Sequence, residues 1–177
     1  VQASPGQVSE ASCLDRGVEA EIAVRIARDL PPREAPYSRD EVLAAIGSAH
    51  PAMEVLQSRY VDVDAVDPLS ALADSLSHFG LVVGPAIPDW QALDLAREGV
   101  RLLVDGAEVK ARTSNPAGDM IRLVVWLANE GAHWAGGLQA GQFVTTGSWT
   151  GKDTVPPGGK ARITFDQAGE AAVRFGA

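Results

Sequence analysis

From Val18 to Ile26 two sets of side chains alternate without a break, Glu19, Glu21, Ala23 and Arg25 in one set and Ala20, Ile22, Val24 and Ile26 in the other. Successive side chains of a strand point to opposite faces, so this period of two reads as a strand with one buried face. Both acids then project from the same, open face. Leu30-Pro31-Pro32 closes the strand, because proline lacks a ladder donor and fixes its own φ.

The remaining pattern is read around that strand. Residues 1–17, rich in Ser, Gly, Gln and Ala, have no sustained period and read as a loosely attached arm outside any fold element, leaving 18–177 as one domain. Ser38 and Glu41 have the capping-box spacing ahead of Val42, Leu43 and Ile46, with Gly47 as the stop. Extended structure is expected from Pro51 through Tyr60, with Glu54 turned away from the apolar side. Leu69, Leu72, Leu76 and Phe79 predict an amphipathic helix over 68–79 capped by Gly80, and 81–87 then reads as a buried strand. Asp105-Gly106 between two apolar runs is a strong hairpin signal. Asn115-Pro116 is expected to start a helix ending near Gly131, and 143–149, 160–165 and 171–175 read as strands. The order lacks strict βαβ alternation, so the expected class is α+β, a mixed and rolled β-sheet with a few flanking helices.

Composition narrows the partners. A formal net charge of −8 argues against nucleic acid or an anionic membrane surface, both of which need clustered cations. No apolar run reaches the roughly 18 residues that span a bilayer. The single cysteine, Cys13, has no partner for an internal disulfide, which fits a reducing cytoplasm. His50, His78 and His133 read as turn, helix-end and loop residues, with an orienting contact from His50 to Glu54 as an alternative for the first. Gly158-Gly159-Lys160 lacks the spacing of a phosphate loop.

Two residues along a strand separate Glu19 from Glu21 by about 6.5 Å, close enough for both carboxylates to meet one ion. On spacing alone the pair reads more readily as the solvated face of an edge strand. The neighbouring motifs change that reading. Val18-Glu19-Ala20-Glu21-Ile22-Ala23 and Pro51-Ala52-Met53-Glu54-Val55 resemble the V-E-A-E-I-A and P-A-L-E-I segments of the 2-keto-4-pentenoate hydratase and 4-oxalocrotonate decarboxylase family, within the fumarylacetoacetate hydrolase-like superfamily. Gln57-Ser58-Arg59 resembles its D-S-R, Ala73-Asp74-Ser75-Leu76-Ser77 its A-D-N-A-S, Trp126-Leu127-Ala128-Asn129 its W-L-A-N, and Thr146-Gly147-Ser148-Trp149-Thr150 its T-G-S-L-T. The likeness runs from about residue 18 to 175 with the motifs in the family's order.

The resemblance implies a fumarylacetoacetase-like fold, with Glu19, Glu21 and Glu54 as ligands of Mg²⁺ or Mn²⁺ and Ser77, Gly147 and Ser148 lining the substrate pocket. It implies a cytoplasmic lyase of aromatic catabolism acting on a small 2-keto acid or 2-hydroxydienoate, by hydration or decarboxylation. Such an acid chelates a divalent ion through its carboxylate and keto oxygen. It further implies a homo-oligomer, or a paired hydratase and decarboxylase subunit. Acylpyruvate-type carbon–carbon hydrolysis and a non-catalytic metal-binding subunit are the alternatives, the latter because the family's upstream K-I-G-L or K-V-G-L lysine has no counterpart. The lysines here are Lys110, Lys152 and Lys160, none in that context, and the catalytic acid or base is unassigned. The chain starts at Val1, and an upstream segment is expected to have preceded it.

Overall fold

The antiparallel ladder between β3 (Gly17–Ile26) and β4 (Ile46–Leu56) forms the centre of the molecule, with Glu19 opposite Glu54 and Ile22 opposite Pro51. The computed structural model describes residues 1–176, apart from the side chain of Asp64; Ala177, the end of the expected domain, lies outside the described residues. In chain order the other strands are β1 (Gln2–Ala3), β2 (Gly6–Ser9), β5 (His78–Val83), β6 (Gly99–Val104), β7 (Ala107–Thr113), β8 (Phe143–Thr145), β9 (Asp153–Thr154), β10 (Lys160–Phe165) and β11 (Glu170–Gly176). The helices are α1 (Arg39–Ala45), α2 (Pro68–Ala73) and α3 (Met120–Trp126).

The strands form two mixed sheets. One runs β1-β5-β4-β3-β8, with β9 also on β3, and the other β2-β11-β10-β6-β7. The β1/β5 and β2/β11 pairs are parallel and the rest antiparallel. The apolar set of β3, Val18, Ala20, Ile22, Val24 and Ile26, is fully buried in a core shared with Leu102, Ile163, Val173 and Phe175 of the second sheet. Each of the larger of these side chains, the valines, leucine, isoleucines and phenylalanine, contributes on the order of 1.5–3 kcal/mol when removed from water. Trp149 meets Phe165 edge to face, with ring centroids 5.1 Å apart. Among the described residues no helix is long and apolar enough to cross a membrane.

The α+β class, the Ser38 capping box and the Asp105-Gly106 hairpin are as expected; both turn residues have positive φ, 49° and 89°. Several local expectations are corrected. Residues 1–17 are no free arm: Gly6 and Val8 are buried, and β2 pairs with β11, far away in sequence. Gly6 lies so close to Val82 that a Cβ there would be 2.5 Å from its Cγ2. Gly47 does not end α1 in a loop, since β4 starts directly at Ile46. The helix expected over 68–79 stops at Ala73, and Phe79 belongs to β5; Leu69, Leu72 and Leu76 are exposed, so no core holds that period together. Asp119, not Asn115, caps α3, by accepting from the Ile121 and Arg122 amides; Asn115 instead accepts from Ala117 in a tight turn. The strand expected over 143–149 ends at Thr145.

Gly84 shows how tightly the sheets meet. A Cβ there would collide with the Glu170 carbonyl oxygen and lie 2.7 Å from Pro51 Cγ, with backbone on one side that cannot swing away. Gly84→Ala is therefore expected to destabilise the fold by about 1–3 kcal/mol in urea unfolding; an unchanged midpoint would show that the two sheets are not packed this closely.

Candidate metal centre

Parity builds the centre. Alternate residues of β3 that do not enter the core, Gly17, Glu19, Glu21 and Ala23, share one face with His50, Ala52 and Glu54 of β4. Cross-strand partners lie about 4.5–5.5 Å apart, so Glu54 comes directly beside Glu19 and diagonally beside Glu21. One oxygen from each of Glu19, Glu21 and Glu54 lies within 4.8 Å of the others. Glu21 is only 2% exposed, and the other two are half-buried.

The loop after β8 completes the arrangement, and explains why a strand does not continue there. Thr146 Oγ1 donates to the Ile22 carbonyl (2.8 Å), Trp149 N to the Ala20 carbonyl (2.8 Å), and Thr150 Oγ1 accepts from Ala20 N (3.1 Å). Two hydroxyls and one backbone amide thus take over the edge of β3 that a ladder would have used. Gly147, at φ +98°, is freed to turn its N–H onto Glu21 Oε2 at 3.0 Å, and Ser148 acts on Glu19 as a hydrogen-bond donor.

The charges are poised against one another. Burial, a hydrogen bond shared with Glu54 and the Glu54 charge push the Glu21 carboxyl up to about 8, with Gly147 N–H opposing and Glu19 adding to the rise. Burial and the Glu54 charge also raise Glu19, opposed by Ser148, Lys110 and Lys152. Like charges this close in a low-dielectric pocket cannot all ionise without a cation. Three hard oxygen donors converging here, with Glu21 and Glu19 both raised by burial and by the neighbouring charge, fit a divalent ion such as Mg²⁺ or Mn²⁺, with water or a chelating ligand completing its shell.

His78 lies with Nδ1 2.6 Å from Glu54 Oε1 and, facing a carboxylate, donates to it. Read from sequence as a helix-end residue, it stands instead at the first position of β5, after a left-handed run at Ser75, Leu76 and Ser77 (φ 55°, 52° and 67°). Buried Asp74 anchors that run by accepting from Ser58 Oγ and Arg59 N, both at 3.2 Å. Ser77 is buried, and its carbonyl accepts from Gln57 N; no contact from it to the carboxylates is seen among the described residues. His50 does not orient Glu54: it binds Ser48 Oγ and the Gly84 carbonyl and packs on Phe143. Beyond the carboxylates, Ala23, Ala52, Leu81 and Val83 with Phe143 form a second, smaller apolar cluster on the same face. Lys152 and Lys110, set aside in the sequence, act on Glu19 from the other side.

Comparison with known proteins follows the same lines. Residues 6–176 match the family described as fumarylacetoacetate (FAA) hydrolase C-terminal. A 4-oxalocrotonate decarboxylase from Pseudomonas sp is 30% identical over 167 residues, covering 93% of this chain and 62% of that protein. A 2-keto-4-pentenoate hydratase from Paraburkholderia xenovorans (strain LB400) is 28% identical over 159 residues, 89% of this chain and 58% of that one. The chain thus spans less than two thirds of the length of these relatives. Among solved structures, a 4-oxalocrotonate decarboxylase from Pseudomonas putida G7, complexed with magnesium and adipate, superposes with a TM-score of 0.83 at 28% identity, over 98% of this chain and 65% of that one.

Three outcomes follow from the charges and contacts of the centre. Because Glu21 is raised above its ordinary 4.5, its proton stabilises the metal-free fold fully below that value, and the contribution is lost as pH rises through about 8. Between about pH 5 and 8, wild type should lose on the order of 1–3 kcal/mol relative to Glu21→Gln in urea unfolding. Mn²⁺ binding near pH 6.5 should release about one proton, read by calorimetry in buffers of different ionisation enthalpy; no release would mean that the carboxyls are already ionised. His78→Ala should weaken Mn²⁺ about tenfold without altering the fold by circular dichroism, whereas equal affinity would make the Glu54 contact incidental.

Proposed function

The chain belongs to the fumarylacetoacetate hydrolase C-terminal family, and from that premise we propose that it is a metal-dependent lyase, a hydratase or decarboxylase acting on a small 2-keto acid or 2-hydroxydienoate. The observation that carries the reading is the convergence of Glu19, Glu21 and Glu54, one oxygen of each within 4.8 Å of the others, on one face of the central sheet. When bound there, a divalent ion supplies Lewis-acid chemistry to a chelating 2-keto acid.

The chain's own residues divide the remaining work. Gly147 N–H holds Glu21 in place, and His78 holds Glu54. Ser77, Gly147 and Ser148 line the substrate pocket in this reading; the Gly147 and Ser148 contacts to the carboxylates and the position of Ser77 beside His78 support it. The apolar cluster around Ala52 and Val83 gives a carbon chain a surface that excludes water. Exposed Val61, Leu69, Leu72 and Leu76 support association into an oligomer, and a lone buried cysteine, Cys13, supports a cytoplasmic setting.

The test follows carbon dioxide release and loss of dienoate absorbance in parallel, with and without Mg²⁺. One of the two signals should appear with the ion and disappear on chelation. Glu19→Gln combined with Glu21→Gln should abolish Mn²⁺ binding and turnover while the circular dichroism spectrum is kept. Mn²⁺ affinity unchanged in that double variant, or turnover indifferent to chelation, would overturn the reading.

A further inference from the structure

The carboxylate face is asymmetric. On one side of Glu21 it continues into the apolar cluster of Ala23, Ala52, Val83 and Phe143; on the other, past Glu19, it ends at Gly17 beneath a lysine. β9 pairs with the start of β3, Thr154 opposite Gly17 and Asp153 opposite Val18, which brings Lys152 to that end. A Cβ built on Gly17 would lie 2.9 Å from Lys152 Cε, so the lysine stem crosses this same face at the point where β3 carries no side chain. Gly17 is two residues, or about 6.5 Å, from Glu19.

A second cation is tied to the first. Lys110, from the second sheet, donates from Nζ to the Lys152 carbonyl at 2.7 Å. Each ammonium faces one aspartate, Lys152 with Asp15 at 3.9 Å and Lys110 with Asp153 at 3.7 Å, both too long for a direct hydrogen bond. Both lysines also favour the charged form of Glu19. A partly exposed ammonium with a loose partner keeps donors for an incoming anion.

We propose that Lys152, backed by Lys110, is the specificity-determining subsite for the distal carboxylate of a dicarboxylic 2-keto acid, selecting diacids over monoacids of equal length. The proposal rests on the metal-dependent reading above: the 2-keto acid head sits at Glu19, Glu21 and Glu54, and a chain of about six carbons spans the step to the residue 17 level. A monoacid tail gains nothing at the basic end and is better placed on the apolar side.

The experiment uses the full chain loaded with Mn²⁺ and two probes with the same chelating head, 2-oxoadipate and 2-oxohexanoate, followed by calorimetry. Wild type should bind the diacid about five- to tenfold more tightly. Lys152→Gln should bring the ratio close to one by weakening the diacid while 2-oxohexanoate still binds the Mn²⁺-loaded chain, Lys152→Arg should keep the preference, and Lys110→Gln should reduce it in part. If Mn²⁺ and 2-oxohexanoate bind but wild type shows no preference, the subsite is overturned and the metal reading stands. Equal weakening of both acids by Lys152→Gln also overturns it, since the lysine would then be acting through the carboxylates. Absence of Mn²⁺ binding overturns both.

Discussion

Three carboxyl groups with oxygens within 4.8 Å of one another repel, and the arrangement of this protein around them is a set of answers to that repulsion. In the metal-free state Glu21 keeps its proton, Gly147 N–H and His78 donate to the pair that needs them, and two lysines stand beyond Glu19. None of these supplies a full compensating charge inside the cluster. A site left short of positive charge has the electrostatics that suit a cation. The surrounding core makes this tolerable, because β3 buries five apolar side chains on its reverse face.

That reverse face also fixes the geometry. A slip of one residue between β3 and β4 would send Val18, Ala20, Ile22 and Val24 to the open face and the glutamates into the core. The hydrophobic pattern therefore sets the register, and the register sets Glu19 against Glu54. The site and the core depend on the same ladder. Only the third wall, the loop from Thr146 to Thr150, is independent of it, and that loop is fastened by hydroxyl contacts to β3 itself.

How much of this could be read from the sequence follows from the range of the interactions. The alternation from Val18 to Ile26 and the Asp105-Gly106 turn are local signals, and they predict the strand face and the hairpin directly. Glu54 was legible as a third acid on an extended segment, though not its register, which only the ladder supplies. Strands β1 and β2 are invisible in the sequence because their partners lie far along the chain, Val82 for Gln2 and Val173 for Gly6, and their own pattern is too short to have a period. The basic end was missed for a related reason: Lys152 has no motif around it, and its meaning comes from Gly17, more than a hundred residues earlier, leaving a gap above the sheet.

His78 is the instructive case. Leu69, Leu72, Leu76 and Phe79 have helical spacing, yet the chain abandons the helix at Ala73 and passes through three consecutive non-glycine residues with positive φ. Each such residue costs on the order of 1 kcal/mol or more, so a simple helical continuation would be favoured locally. What opposes it is the hold on Asp74 from Ser58 and Arg59 and on the Ser77 carbonyl from Gln57, all from the segment that follows β4. Those contacts pin the turn to the end of the strand that bears Glu54, and the next residue out of the turn is the one that bonds it. The Gln57-Ser58-Arg59 and Ala73-to-Ser77 motifs are thus two halves of one clasp. Its structural product is the position of His78, which explains why a costly backbone persists beside the carboxylates and nowhere else along that segment.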